Sequence, residues 1–133
     1  MTRTLLDLAK NNINVCDIVL NNREDNDEII IDIVGFHVQQ AVELAIKFLF
    51  EINGVEYPKL NDLMQLSYLA LKSGIDLYLT EYLDDRLDVL NSWEANATRL
   101  TNYKLELNNV TEMLNEVKLY ISIVEQKNIL SLY

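Results

Sequence analysis

The sequence predicts an all-α fold, an antiparallel bundle of about five helices in a single domain over residues 1–133. Half of the residues are apolar, and the chain has one proline and three glycines, too few turn-forming residues for an all-β protein. Apolar residues recur at helical spacing along most of the chain. Only short polar or glycine-containing segments separate these stretches, and short links between helices favour antiparallel neighbours.

Two long helices are predicted in the first half of the chain. The first covers residues 4 to about 20, and the second covers residues 28–52. Asp27 can cap the second helix, because its carboxylate can accept hydrogen bonds from the free amides of the first turn. Gly54 ends this helix, since glycine tolerates the left-handed conformation common just past a C-terminus. Gly35 lies inside it and indicates close packing against the backbone.

The helix over residues 28–52 is apolar on nearly all sides, which predicts a central place in the bundle or a face shared with a partner subunit. Residues 29–34 are rich in β-branched side chains, and a strand there is the alternative prediction. One apolar face consists of Ile30, Ile33, Val34, Val38, Ala41, Ala45, Phe48, Leu49 and Ile52. Acids or amides interrupt every apolar stretch within a few residues, so no membrane span is expected.

Three further helices are predicted in the second half. Ser73–Gly74 ends the third, whose apolar positions are Leu60, Leu63, Met64, Leu66, Ala70 and Leu71. The fourth is predicted to be capped by Asp76 and to turn inward Leu79, Tyr82 or Leu83, Leu87 and Leu90. Residues 91–102 are predicted to be a less regular connection, and the last helix covers residues 105–128.

The charge balance argues against one class of function. The chain has 21 acidic and 11 basic residues and a net charge of −10. Broad binding to DNA or RNA depends on clustered lysine and arginine that neutralise phosphates. We therefore expect no broad DNA binding, although a small local basic cleft remains compatible with the sequence.

The single cysteine and the amino terminus indicate an intracellular location. Cys16 has no second cysteine with which to form a disulfide, and nothing near it suggests a reactive thiol, so it is expected to be a buried small apolar residue. The first residues lack the long apolar core of a signal peptide. We expect a cytoplasmic protein with no metal site and no cofactor.

Two segments of the chain resemble the HEPN family, the higher-eukaryote and prokaryote nucleotide-binding domains. The first is FHVQQAVELAIKFLF, in which Gln39, Gln40, Ala41, Glu43 and Lys47 match the Gln-Gln-Ala-x-Glu-x-x-x-Lys pattern of the family. The second is GVEYPKLNDLMQL, which is similar to the glycine, proline and His-Asp-Leu segment of the family. A weaker third match is an arginine–tyrosine element, Arg99 and Tyr103, before a long closing helix.

The resemblance implies a helical bundle that forms homodimers, and a partner that is a small nucleotidyltransferase in a toxin–antitoxin or defence system. Members of the ribonuclease branch cleave RNA with an arginine followed four to six residues later by a histidine, presented across a dimer cleft. In this sequence Arg99 is followed by Leu-Thr-Asn-Tyr and Lys104, and Asn61 replaces the histidine of His-Asp-Leu. That chemistry needs a group that exchanges protons near neutral pH. A lysine with an ordinary pKa of about 10.4 is a poor substitute, because it stays protonated at that pH.

The preferred interpretation is a non-catalytic or degenerate HEPN module that binds a partner protein or a nucleotide. One alternative is a divergent HEPN ribonuclease, toxin-like, that uses Arg99 and Lys104 at a dimer cleft. The other is a purely structural, dimeric interaction protein without a ligand.

The candidate ligand-binding residues lie on the long helix and on the connection that follows Trp93. Gln40, Glu43 and Lys47 could line a polar groove between helices, whereas the simpler expectation for Glu43 and Lys47 is a surface ion pair four residues apart. His37, one turn earlier, is expected to be a packing residue with a hydrogen-bond partner.

Arg99, Tyr103 and Lys104 form the second part of the candidate site. Arg99 and Lys104 could bind a phosphate, with a forked contact from Arg99. The alternative pairs Arg99 with a carboxylate such as Glu94 or Glu43. Trp93 and Tyr103 are expected to be core or dimer-contact residues rather than base-stacking residues, because the surroundings are not basic.

Overall fold

The computed structural model describes residues 3–24, 27–59, 62–97 and 105–132. These residues form six helices and no strand, which confirms the predicted all-α bundle. In chain order they are α1 (Leu5–Asn21), α2 (Glu28–Ile52), α3 (Leu63–Ser73), α4 (Glu81–Asp85), α5 (Leu87–Ala97) and α6 (Leu107–Leu130).

The central element is α2, which packs against α1, α3, α5 and α6. The side chain of Asp27 accepts hydrogen bonds from the amides of Ile29 and Ile30, so the helix begins where the sequence predicted. Its first turns are helical, and the alternative prediction of a strand over residues 29–34 is wrong. The β-branched side chains of these residues are accommodated because the cap and the following turns all favour a helix.

The apolar length of α2 follows from its place in the bundle. By length and composition alone this helix could cross a membrane, with a mean hydropathy of 1.5 over its most apolar window. In the structure 56% of that window is buried against the rest of the chain. The core helix of a protein without a membrane span meets the same criterion, and here the neighbouring helices cover more than half of this window.

Gly35 allows Trp93 of α5 and Leu105, which precedes α6, to approach α2 closely. A Cβ atom at this position would lie 2.5 Å from Cδ1 of Leu105 and 3.6 Å from Cε3 of Trp93. Both of those side chains are buried. The close packing predicted at Gly35 is therefore confirmed, and it fixes Trp93 against the middle of α2.

The predicted fourth helix is two helices with a break at Arg86. Thr80, and not Asp76, caps α4 by accepting a hydrogen bond from the amide of Leu83. The prediction of an irregular connection over residues 91–102 is wrong for its first part, because α5 extends to Ala97.

Asn91 explains why that helix continues through an asparagine-containing stretch. Its side chain accepts from the amide of Leu63 at 2.8 Å and donates to Asp62 at 3.1 Å. Asp62 in turn caps α3. A polar residue that favours turns in isolation is thus held in a helix by a contact with a distant element.

The predicted inward faces are correct in part. Cys16, Val34, Val38, Ala41, Ala45, Phe48, Leu49, Leu63, Leu66 and Leu90 are buried as expected. Ile33 and Ile52 of the apolar face predicted for α2 are exposed, as are Met64 and Leu71 among the apolar positions of α3. Leu60 lies outside the described residues.

Candidate functional site

A row of polar side chains runs along α2, consisting of Gln39, Gln40, Glu43 and Lys47, and is called here the polar row. Gln39 and Glu43 are buried, whereas Gln40 and Lys47 are half-buried. The predicted site residues Gln40, Glu43 and Lys47 therefore lie together on one side of the helix. They are set among apolar side chains rather than on an open surface.

Glu43 and Lys47 form a largely buried ion pair. Nζ of Lys47 lies 3.3 Å from Oε2 of Glu43, and the two side chains are 12% and 4% exposed. The expectation of a surface ion pair is wrong. The spacing of four residues was identified correctly, but the pair is covered by other parts of the fold, so its charges interact through protein more than through water.

Tyr57 covers the Lys47 end of the row. Its ring centre lies 5.6 Å from Nζ of Lys47, within the range of a cation–π contact, and its ring also packs edge-on against Phe50. The Tyr57 hydroxyl donates a hydrogen bond to Oε1 of Glu51 at 3.1 Å. Burial and this carboxylate raise the pKa of Tyr57. The segment after α2 thus folds back over the polar row and restricts access to Lys47.

Gln39 belongs to the row although the sequence did not mark it as a site residue. Nε2 of Gln40 donates to Oε1 of Gln39 at 2.8 Å, while Nε2 of Gln39 is buried without a hydrogen-bond partner among the described residues. The indole Nε1 of Trp93 is likewise buried without a hydrogen-bond partner among the described residues. Buried donors of this kind are costly, so they are uncommon in folded proteins. The signal in the sequence was the adjacent pair of amides on so apolar a helix.

His37 is a packing residue, as expected. Its Nδ1 lies 2.7 Å from Oδ1 of Asn12, a hydrogen bond that joins α2 to α1, and its ring contacts Phe36 edge-on. Burial lowers the pKa of His37. The imidazole is therefore neutral near pH 7 and is used to connect two helices.

Cys16 is equally inert. It is fully buried, and its Sγ donates to the carbonyl oxygen of Val34 at 3.6 Å. Burial raises the pKa of this thiol to about 12. A thiol that is neither exposed nor ionised does not act as a nucleophile.

Arg99, Tyr103 and Lys104 lie outside the described residues, as does Asn61. The binding roles predicted for Arg99, Tyr103 and Lys104 therefore stay predictions. Within the part of the chain that is described, no group of three or more histidine, cysteine, aspartate or glutamate residues is arranged to hold a metal ion.

The side of α2 that faces away from the bundle carries a second feature, called here the outer stripe. Its members follow one another at helical spacing: Ile29, Ile33, Phe36, Gln40 and Leu44. Ile29 and Ile33 are 58% and 38% exposed, and the other three are half-buried. The most apolar helix of the chain thus leaves one partly uncovered apolar face, to which Gln40 contributes.

The comparisons with known proteins agree with the resemblance found in the sequence. The family model described as HEPN domain matches residues 6–127, which include all of α2 to α5 and most of α1 and α6. No match to the chain was found among curated proteins or among solved structures. Because the family model covers nearly the whole chain and the fold is the expected helical bundle, the chain belongs to the HEPN domain family.

Proposed function

We propose that this chain is a non-catalytic HEPN module that forms a cytoplasmic homodimer and binds a partner protein through α2. The partner that the family resemblance suggests is a nucleotidyltransferase in a toxin–antitoxin or defence system. The outer stripe supplies the apolar contact area of the dimer, and Gln40, the half-buried residue that belongs to both the stripe and the polar row, supplies a polar contact at its edge. Arg99 and Tyr103 complete the binding residues in this proposal.

The observation that carries the non-catalytic part is the position of the single histidine. RNA cleavage of the HEPN type uses a histidine shortly after Arg99, and residues 100–105 are Leu, Thr, Asn, Tyr, Lys and Leu. His37 is half-buried on α2 and is engaged by Asn12. Cleavage would then depend on Lys104 as the proton-transferring group, for which an ordinary lysine is poorly suited.

Purified protein incubated with a mixture of structured and unstructured RNAs tests this point. We expect no cleavage by the parent chain, with or without added divalent cations. Cleavage that is lost in Arg99→Ala and Lys104→Ala, but not in Lys59→Ala as a control for surface charge, would establish the divergent ribonuclease instead.

The geometry favours a protein partner over a nucleotide. The charge of Lys47 is balanced by Glu43 at 3.3 Å, and Gln40 already donates to Gln39. A phosphate would have to compete with a buried carboxylate for the lysine. By contrast, the outer stripe offers apolar surface that gains free energy when a second chain covers it.

Light scattering tests the dimer face. Light scattering should give the mass of a dimer for the parent chain and of a monomer for Ile33→Arg, because a charge buried in an apolar interface is unfavourable. Leu119→Arg is the matched control, since Leu119 is 50% exposed on α6 and outside the outer stripe. A dimer that survives Ile33→Arg would exclude the outer stripe as the dimer face.

The partner is tested separately by co-expression with a small nucleotidyltransferase, chosen from the genes that neighbour this one. We expect co-purification with the parent chain and its loss in Ile29→Arg, because in this proposal the partner binds the dimer that the outer stripe holds together. Nucleotides titrated by calorimetry should give no heat of saturable binding. Saturable binding that is lost in Lys47→Ala would instead favour a nucleotide-binding module.

A further inference from the structure

A groove lies between α3, the loop over residues 75–79 and α4, and is called here the α3–loop groove. Its volume is about 300 Å³. Ala70 and Leu71 of α3 and Leu77 and Leu79 of the loop form apolar parts of its lining. It shares no residue with the polar row or the outer stripe, so it is independent of the function proposed above.

The wall of the groove is held in place before any ligand binds. Tyr78 has a φ of 56°, a left-handed conformation that is unusual for an aromatic residue. Asp76 accepts a hydrogen bond from the amide of Tyr78 at 2.8 Å, and the buried hydroxyl of Tyr120 donates to the carbonyl oxygen of Leu77 at 2.7 Å. These contacts fix the loop, so binding in the groove costs little loss of conformational freedom in this wall.

An exposed apolar stripe on α3 continues the groove. Met64, Tyr68 and Leu71 follow one another at helical spacing and are 46%, 63% and 79% exposed. Leu71 belongs both to this stripe and to the lining of the groove. An apolar segment seated in the groove could therefore extend along α3, removing these side chains from water.

The charge around the groove selects among apolar partners. Asp76 and Asp84 line it, and no lysine or arginine does. The cations placed nearby, Lys72 and Lys127, lie over the rings of Tyr68 and Tyr78. With a net charge of −10 for the whole chain, the surface attracts a positively charged ligand and repels an acidic one.

We propose that the α3–loop groove is a docking site for a basic, amphipathic segment of a partner protein. Apolar side chains of the segment occupy the groove and cover Leu71, and its arginine or lysine side chains pair with Asp76 and Asp84. The two acids give the site its preference for basic segments, while Leu71 and the other apolar residues of the lining supply the apolar contacts.

Selection from a random peptide display library on the immobilised parent chain tests the chemistry without assuming a sequence. We expect the enriched peptides to combine leucine or aromatic residues with arginine and lysine. Fluorescence anisotropy with a labelled enriched peptide then gives the Kd. Enrichment of acidic or uncharged peptides would overturn the proposal.

Two pairs of matched variants locate the binding. Leu71→Ser should weaken binding about tenfold, because it removes a large apolar contact, while Leu119→Ser should leave the Kd unchanged. Asp84→Lys should weaken binding about fivefold at low salt, while Asp85→Lys, its exposed neighbour outside the lining, should have a smaller effect.

Two further outcomes would refute the proposal. If both lysine variants weaken binding equally, the peptide responds to overall charge and not to the groove, and the proposal fails. If light scattering gives a different mass for Leu71→Ser than for the parent chain, Leu71 lies in a contact between two copies of the chain. A second copy then occupies the groove, and the proposal fails. Circular dichroism checks that the variants retain their helices, which is expected because all four substituted side chains are exposed.

Discussion

A double-mutant cycle on Glu43 and Lys47 measures how far burial strengthens an ion pair in this bundle. With 3.3 Å between Nζ and Oε2, Coulomb's law gives about 5 kcal/mol at an effective dielectric constant of about 20 and about 1.3 kcal/mol in bulk water. The two side chains are 12% and 4% exposed, which places the pair between these limits. We expect a coupling energy of about 2 kcal/mol, against about 0.3–0.5 kcal/mol for an exposed pair with the same spacing on a helix.

The cycle consists of Glu43→Gln, Lys47→Met and the double variant, each unfolded in urea and followed by the helical circular dichroism signal. Because the coupling energy is a difference between variants, other contacts of either residue cancel to first order. Each single variant should be destabilised, and Lys47→Met more than the double variant, since it leaves a carboxylate in protein without that cation.

A second ion pair provides the control. Nζ of Lys118 lies 2.8 Å from Oδ1 of Asp17, closer than in the first pair, but these side chains are 41% and 42% exposed. Its cycle, with Asp17→Asn and Lys118→Met, should give a coupling energy below about 1 kcal/mol that decreases further with added salt. A coupling for Glu43 and Lys47 that does not exceed this value would refute the reasoning, because distance and not burial would then decide the strength.

Three further predictions follow from contacts elsewhere in the bundle. Tyr120→Phe should lower the free energy of unfolding by about 1.5 kcal/mol, and the melting temperature by about 5 °C, because the carbonyl of Leu77 loses its buried donor. Tyr68→Phe, at an exposed tyrosine, should change neither value measurably. Because burial lowers the pKa of His37 from its ordinary 6.5, the unfolded chain takes up protons first, so stability in urea should fall as the pH decreases below about 6.5. His37→Gln should remove this part of the pH dependence, and an unchanged slope would contradict the assignment. Asp62→Ala should cost about 1 kcal/mol in urea unfolding, since its carboxylate caps α3; an Asp62→Asn variant with the same loss would show that the cap is not responsible.

Local signals in the sequence were sufficient for the longest element. The bounds of α2 were predicted correctly because Asp27 supplies a cap and Asn53–Gly54 a stop, and neither depends on the rest of the fold. The family resemblance was also carried by residues on or just after this helix. Features encoded within a few residues of one another can thus be obtained without coordinates.

Features that depend on distant contacts could not be obtained in this way. The continuation of α5 through Asn91 relies on Asp62 and Leu63, which are nearly thirty residues away in sequence. The burial of the Glu43–Lys47 pair depends on other elements, including Tyr57, that cover it, because the same spacing of four residues occurs on exposed helices.

The exposure of Leu71 could not be predicted for a related reason. Helical spacing shows that a leucine shares a side with its neighbours, but not whether another element covers that side. At Leu71 none of the described residues does so fully, and the side chain is 79% exposed. The α3–loop groove therefore had no counterpart in the sequence pattern.

The place of α2 in the order of the chain has a consequence for biosynthesis. When the apolar surface of α2 leaves the ribosome, only α1 is available to cover it, and the remaining contacts arrive with α3, α5 and α6. The apolar residues of α2 therefore stay partly uncovered until α6 has been synthesised. Ion pairs between Lys10 and Glu125 and between Asp17 and Lys118 then join the first helix to the last. A translation product that stops before α6 would accordingly be a substrate for chaperones and proteases.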